Sequence, residues 1–153
     1  MAVDILTLDP RWRRSFRGLT ADVEDATRRT LREVSPSHKY MGKLDVTIVF
    51  ASDAEVRKLN AQFRSKDKPT NVLAFPGGED AYLGDIILGY ETVKREAKVQ
   101  NKTFRAHTLH LVVHGMLHLM GHDHEDEKGA KRMESLEIKI LARMTIANPY
   151  EAE

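Results

Sequence analysis

The sequence predicts an α+β fold, a mixed β-sheet packed with helices, in one domain spanning 1–153. Three observations predict it. Short alternating or apolar runs of strand length are separated by longer stretches of helical periodicity. No internal repeat or low-complexity linker divides the chain. Its 153 residues suit a single domain that can bury a core without cross-links.

The elements follow in order. Residues 3–8 and 44–51 read as strands, the second with Val46, Ile48 and Phe50 on one side and Thr47 and Val49 on the other. Between them Leu19, Val23, Ala26, Thr30 and Val34 form a helical stripe. Ser52-Asp53-Ala54-Glu55 is a capping box, and it starts a helix whose inward stripe is Val56, Leu59 and Phe63, ending near Arg64. Residues 71–75 and 83–88 read as further strands, with Pro76-Gly77-Gly78 as a loop between them. Two helices close the chain, over about 102–120 and 125–144, the last with Met133, Leu136, Ile140, Leu141 and Met144 on its apolar stripe.

Composition narrows the chemistry. Zero cysteines exclude disulfides, thiolate ligands and a thiol nucleophile, and agree with a reducing compartment. Residues 1–14 include Asp4 and Asp9 and no apolar run of signal length, so a cytoplasmic protein with no membrane partner is expected. The net charge of +1 does not announce a nucleic-acid partner. Arg11, Arg13, Arg14 and Arg17 around Trp12 and Phe16, then Arg28, Arg29 and Arg32, can track phosphates, but such runs are more often solvated faces.

The run from His114 to His124 reads H-x-x-x-H-x-x-G-x-x-H. Helical residues four apart project from one face, so His114 and His118 can offer nitrogens to one point. Gly121 can end the helix in a left-handed conformation and return His124 to the same centre. Three neutral imidazoles suit zinc or a similar first-row ion, and three protein ligands leave a coordination position open, as at a catalytic site. Metzincin proteases share this spacing but carry a glutamate directly after the first histidine as general base. Here Gly115 stands in that place.

Four blocks in order then resemble one family: Leu59-Asn60-Ala61-Gln62-Phe63-Arg64, Pro69-Thr70-Asn71-Val72-Leu73-Ala74-Phe75-Pro76, Leu83-Gly84-Asp85-Ile86, and the histidine motif. Together they resemble the YbeY family of bacterial metal-dependent endoribonucleases, which mature ribosomal RNA. The resemblance implies a compact α+β fold, one zinc per chain on His114, His118 and His124, and single-strand-specific cleavage near the 3′ end of 16S ribosomal RNA. It also implies ribosome biogenesis and quality control as the wider role, with ribosomal RNA and the small ribosomal subunit as partners, and no DNA. His122 stands where the family often has tyrosine, and His107 and His110 add imidazoles on the helix face of His114 and His118. All three stay outside the metal set, because a catalytic zinc site needs only three protein ligands.

Phosphodiester cleavage gathers charge on the non-bridging oxygens, so a Lewis acid and a fixed cation are its obvious aids. Arg64 is the candidate cation: a guanidinium offers a planar fork to phosphate, and Arg64 matches the family's functional arginine by the resemblance. An arginine closing a helix C-terminus is the competing role. Asp85 interrupts an apolar strand, and can either orient a metal-bound histidine or cap a turn beside Gly84. Asp123 is a ligand-orienting or turn residue, and Thr70 and Asn71 are local hydrogen-bonding residues before any substrate role. Three classes compete: the endoribonuclease, a metal-dependent peptidase or amide hydrolase, and a ribosome-associated binding module with a structural metal.

Overall fold

The computed structural model describes residues 2–34, 45–64, 70–79, 81–122 and 125–151, the side chains of Arg64 and Glu79 excepted. Leu44, residues 65–68 between the first two blocks, Pro69 at the start of the second, Asp123 and His124 therefore lie outside the described residues. The elements run β1 (Ala2–Thr7), α1 (Arg11–Ser15), α2 (Leu19–Val34), β2 (Asp45–Ala51), α3 (Asp53–Arg64), β3 (Val72–Glu79), β4 (Tyr82–Gly89), α4 (Tyr90–Val99), α5 (Phe104–Leu119) and α6 (Glu127–Ala142).

The sheet has the order β1-β2-β4-β3. β1 pairs parallel with β2 and β2 with β4, while β3 runs antiparallel to β4, so the sheet is mixed as expected. Val46, Ile48 and Phe50 of β2, with Ile86 and Leu88 of β4, are buried in one core shared with α2, α5 and α6. The alternate residues Ala51, Leu73 and Ile87 bury against Val56 of α3 on the other face. Period-two alternation thus places helices on both sides of the sheet.

Local chemistry explains most boundaries. Ser52 Oγ accepts from Glu55 N at 3.3 Å and starts α3. Thr103 Oγ1 accepts from Ala106 N at 3.0 Å at the start of α5, and Asp126 Oδ1 from Gly129 N at 2.6 Å at the start of α6. α5 packs against β3, β4, α2, α4 and α6, so its sequence is apolar nearly all round.

Three differences from the sequence expectation have physical reasons. Pro76-Gly77-Gly78 is not a loop but part of β3, which tolerates proline because it is an edge strand, with a register shift between Pro76 and Glu79. Phe63 is not inward: it is 60% exposed and meets Phe75 edge-on at 5.6 Å, while the neighbouring Asn60 is buried. α4 was absent from the expected elements, although Tyr90, Val93 and Ala97 give it a buried stripe. Of the basic residues in the two runs, Arg11, Arg13 and Arg29 are engaged with the protein itself. Arg11 pairs with Asp9 at 2.7 Å and Glu91 at 2.6 Å, Arg13 donates to Thr20, and Arg29 pairs with Asp25. Trp12 is fully buried, donating Nε1–H to Ala51 O at 2.8 Å amid Phe50, Tyr90 and Phe104. Among the described residues no helix is long and apolar enough to cross a membrane.

Candidate metal centre and cleft

α5 carries the first two histidines of the motif on the side that faces the β3 edge. There His114, Gly115, His118 and Leu119 form one wall of a cleft of ≈ 520 Å³, and Thr70, Asn71, Val72, Ala74 and Pro76 form the other. The close fit of helix to sheet depends on Gly115. A Cβ at that position would lie 3.0 Å from Ile86 Cγ2 and 3.2 Å from Ile86 Cδ1, tighter than ordinary van der Waals contact.

The expected pair comes together. His114 Nε2 and His118 Nε2 lie 3.1 Å apart. Ligand nitrogens about 2.0–2.1 Å from a tetrahedral ion stand roughly 3.3 Å from each other, so this spacing fits two corners of one coordination shell. The helix stops where the motif requires. Gly121 has φ +95°, and His122 N bonds to Leu117 O at 3.0 Å and Gly121 N to His118 O at 3.1 Å, closing the last turn. His124 lies outside the described residues, and among those described no three metal-donor side chains cluster.

Behind His114 stands a residue that sequence reasoning missed. Glu137 of α6 is fully buried, and its Oε1 sits 2.6 Å from His114 Nδ1. Tyr150 O–H donates to its other oxygen, and His110 Nε2 lies 3.4 Å from Oε1. Burial opposes its ionisation, but hydrogen bonds from His110, His114 and Tyr150 outweigh it and hold the carboxyl at about 2. An ionised carboxylate only accepts, so His114 must carry its proton on Nδ1. In the neutral ring the Nε2 lone pair then faces His118 and the cleft. A carboxylate behind an imidazole in this way fixes the ring and raises its basicity as a metal ligand. The donor set present therefore fits a first-row divalent ion. A signal for Glu137 existed in the sequence: it sits on the α6 stripe of Met133, Ile140 and Leu141, where an unpartnered acid would be costly.

Among the described residues, Asp85 accepts a short hydrogen bond from Tyr82 O–H, which also lies beside Thr47 Oγ1. The additional imidazoles are held by protein groups. His107 is buried, and its Nε2 lies 2.9 Å from Glu96 Oε1; burial lowers its pKa more than that carboxylate raises it. His110 Nε2 lies 3.3 Å from Tyr150 Oη. Asn71 Oδ1 accepts from Val72 N at 2.7 Å, its local role, while Nδ2 donates to Glu96 at 3.0 Å and ties the cleft lip to α4. Arg64 is the last residue of α3, and the described chain resumes at Thr70 on the lip of the cleft.

Comparison with known proteins identifies the family. A family model described as Endoribonuclease YbeY matches residues 13–145. The Endoribonuclease YbeY of Chelativorans sp. (strain BNC1) is 55% identical over 112 residues, 69% of this chain and 69% of the relative. That of Gluconobacter oxydans (strain 621H) is 42% identical over 147 residues, 96% of this chain and 86% of the relative. The solution structure of TM1509 from Thermotoga maritima matches with a TM-score of 0.60 and 26% identity, covering 99% of this chain and 97% of that one. With its histidine helix, its cleft and these relatives together, the chain belongs to the YbeY endoribonuclease family.

Proposed function

We propose that this protein is a metal-dependent endoribonuclease that cleaves single-stranded RNA, with zinc held by His114, His118 and His124. We further infer that its substrate is 16S ribosomal RNA near the 3′ end, cleaved in the cytoplasm during assembly and quality control of the small ribosomal subunit. The observation that carries the reading is the pair of Nε2 atoms 3.1 Å apart, braced by Glu137 and opening on a cleft along a strand edge. Membership of an endoribonuclease family supplies the substrate class.

When bound, the ion supplies Lewis acidity toward the phosphoryl oxygens. The chain's own residues supply the rest. Glu137 fixes the His114 ring through Nδ1, so that Nε2 is the nitrogen turned to the cleft. Arg64 is assigned to the charge that develops on the non-bridging oxygens, because its fork geometry matches phosphate and its charge does not titrate near neutrality. Gly115 leaves the helix wall without a side chain between the two histidines. It also withholds the carboxylate that a metzincin uses to carry a proton to a leaving amine, which disfavours peptide hydrolysis. Contacts to the ribose 2′-hydroxyl are the means by which such a cleft prefers RNA to DNA.

The test uses three substrates with wild type and His124→Ala, each analysed for metal: precursor small-subunit RNA, the same sequence as DNA, and a peptide. Cleavage of RNA alone, near the 3′ end and absent from the variant, is expected. Peptide turnover that disappears in the variant, with RNA intact throughout, would replace this reading with a peptidase.

A further inference from the structure

The cleft beside the imidazole pair continues past it. Asn71, Val72 and His114 border both that cleft and a second hollow of ≈ 450 Å³, and His110 and Tyr150 connect the second to a third of ≈ 860 Å³. The third lies between the start of α5 and the C-terminal residues. Ala106, Ile146, Ala147 and Pro149 give it apolar walls, and its rim carries Glu151, Lys102, which donates to Pro149 O, and Arg105, which pairs with Asp22 at 2.8 Å. Its size is that of a ligand site, well beyond the needs of water.

Tyr150, shared by both hollows, has an unusual combination of exposure and constraint. The residue is 46% exposed, yet its hydroxyl is tied to the fully buried Glu137 and lies 3.3 Å from His110. Its ring meets His110 edge-on, centroids 5.5 Å apart, and His110 stands 6.3 Å from His114 in the same manner. A half-exposed aromatic ring already immobilised by the fold can accept a planar partner with little further loss of freedom. Unpaired bases stack on such rings irrespective of sequence.

We propose that Tyr150 is the platform of a nucleobase subsite. One unpaired base of the RNA strand stacks on its ring, within about three nucleotides of the scissile phosphate, given a stacked repeat of about 3.4 Å that widens when the strand unstacks. Lys102 and Arg105 face the adjoining backbone. The family match ends at residue 145, so Tyr150 itself lies beyond it, while Lys102, Arg105 and His110 of the same hollow lie within it. The proposal rests on the endoribonuclease reading and adds where the strand is gripped.

The experiment is a cross of protein variant and substrate lesion. A single abasic residue is moved along an oligoribonucleotide on either side of the cleaved bond, and kcat/KM is measured for wild type, Tyr150→Phe and Tyr150→Leu, all metal-replete. In wild type one register should lose about tenfold, the scale of one base–aromatic stack. Tyr150→Phe loses the bond to Glu137 and turns over at a different absolute rate, but keeps the ring and should keep that ratio. Tyr150→Leu should lose the ratio altogether. A purely structural role for Tyr150 would change rates without changing this ratio.

An undiminished penalty at the same register in Tyr150→Leu, or no sensitive register in wild type, would overturn the subsite while leaving the nuclease reading intact. A wild type that cleaves no RNA removes the reading and the subsite together. Ala147→Glu provides a check that does not touch Tyr150. Ala147 is exposed on the same hollow, so the added carboxylate should raise KM severalfold while melting temperature and metal content stay unchanged, and an unaltered KM counts against the subsite.

Discussion

Glu137 shows how much of the site depends on a residue that binds nothing directly. Full burial and three donors leave it ionised, and its contact with His114 Nδ1 decides which nitrogen of that ring faces the cleft. Glu137→Gln keeps the volume, but removes the charge and replaces the oxygen that accepts from Tyr150 with an amide. The fold should survive while zinc affinity, measured by competition with a chelator, falls about 10- to 100-fold. Unchanged affinity would show that the His114 ring is held by other means. Arg64 has the opposite character, a residue expected to act on charge in the transition state. Arg64→Ala should keep metal and fold while RNA cleavage falls by on the order of a hundredfold, and Arg64→Lys should recover little of it. Wild-type rates in a metal-replete Arg64→Ala sample would remove the residue from the chemistry. At this scale the sequence was legible for His114 and His118, whose four-residue spacing is itself the geometry. Glu137 was legible only as an acid on an apolar stripe and Tyr150 not at all, because both reach the site through tertiary packing from α6 and the C-terminal residues. Asp85 was legible only as an acid in an apolar strand that demands a partner, and among the described residues Tyr82 is one.

Among the elements, α5 carries the most information and shows the least amphipathic pattern. It is covered on almost every side, so its helical character is legible in its length, its Thr103 cap and the glycine that ends it. That terminating turn positions everything after it. Gly121 holds φ +95°, which a side chain with Cβ occupies only at a cost of roughly 1–2 kcal/mol. Gly121→Ala should lower the denaturant midpoint accordingly and also weaken metal retention, because the chain beyond the turn must leave the helix in another direction. Loss of stability with metal affinity untouched would separate the turn from the site. The strand elements show where local signals fail. Proline and two glycines read as a loop, yet on an edge strand they need no partner on the outer side and are accommodated by a register shift. Phe63 continues the helical stripe of Val56 and Leu59, but it lies largely exposed against Phe75 of the edge strand β3.

At the scale of the molecule, the sheet order β1-β2-β4-β3 makes the site possible. β3 joins the parallel strands as an antiparallel edge, so its outer side and the lip at Thr70 and Asn71 border the histidine face of α5. Periodicity shows which segments are strands but not which are neighbours, so the mixed character of the sheet was foreseeable and the cleft was not. The continuous core around Trp12 joins β2, β4, α2 and α5 and holds α5 at a fixed height above the sheet. The two Nε2 atoms are thereby held 3.1 Å apart. A donor pair of this kind leads to a direct measurement. Elemental analysis of purified wild type, His114→Ala, His118→Ala and His124→Ala should find about one zinc per chain in the wild type and most of it lost from each variant. Full zinc occupancy in all three variants would contradict the metal centre on which the account rests.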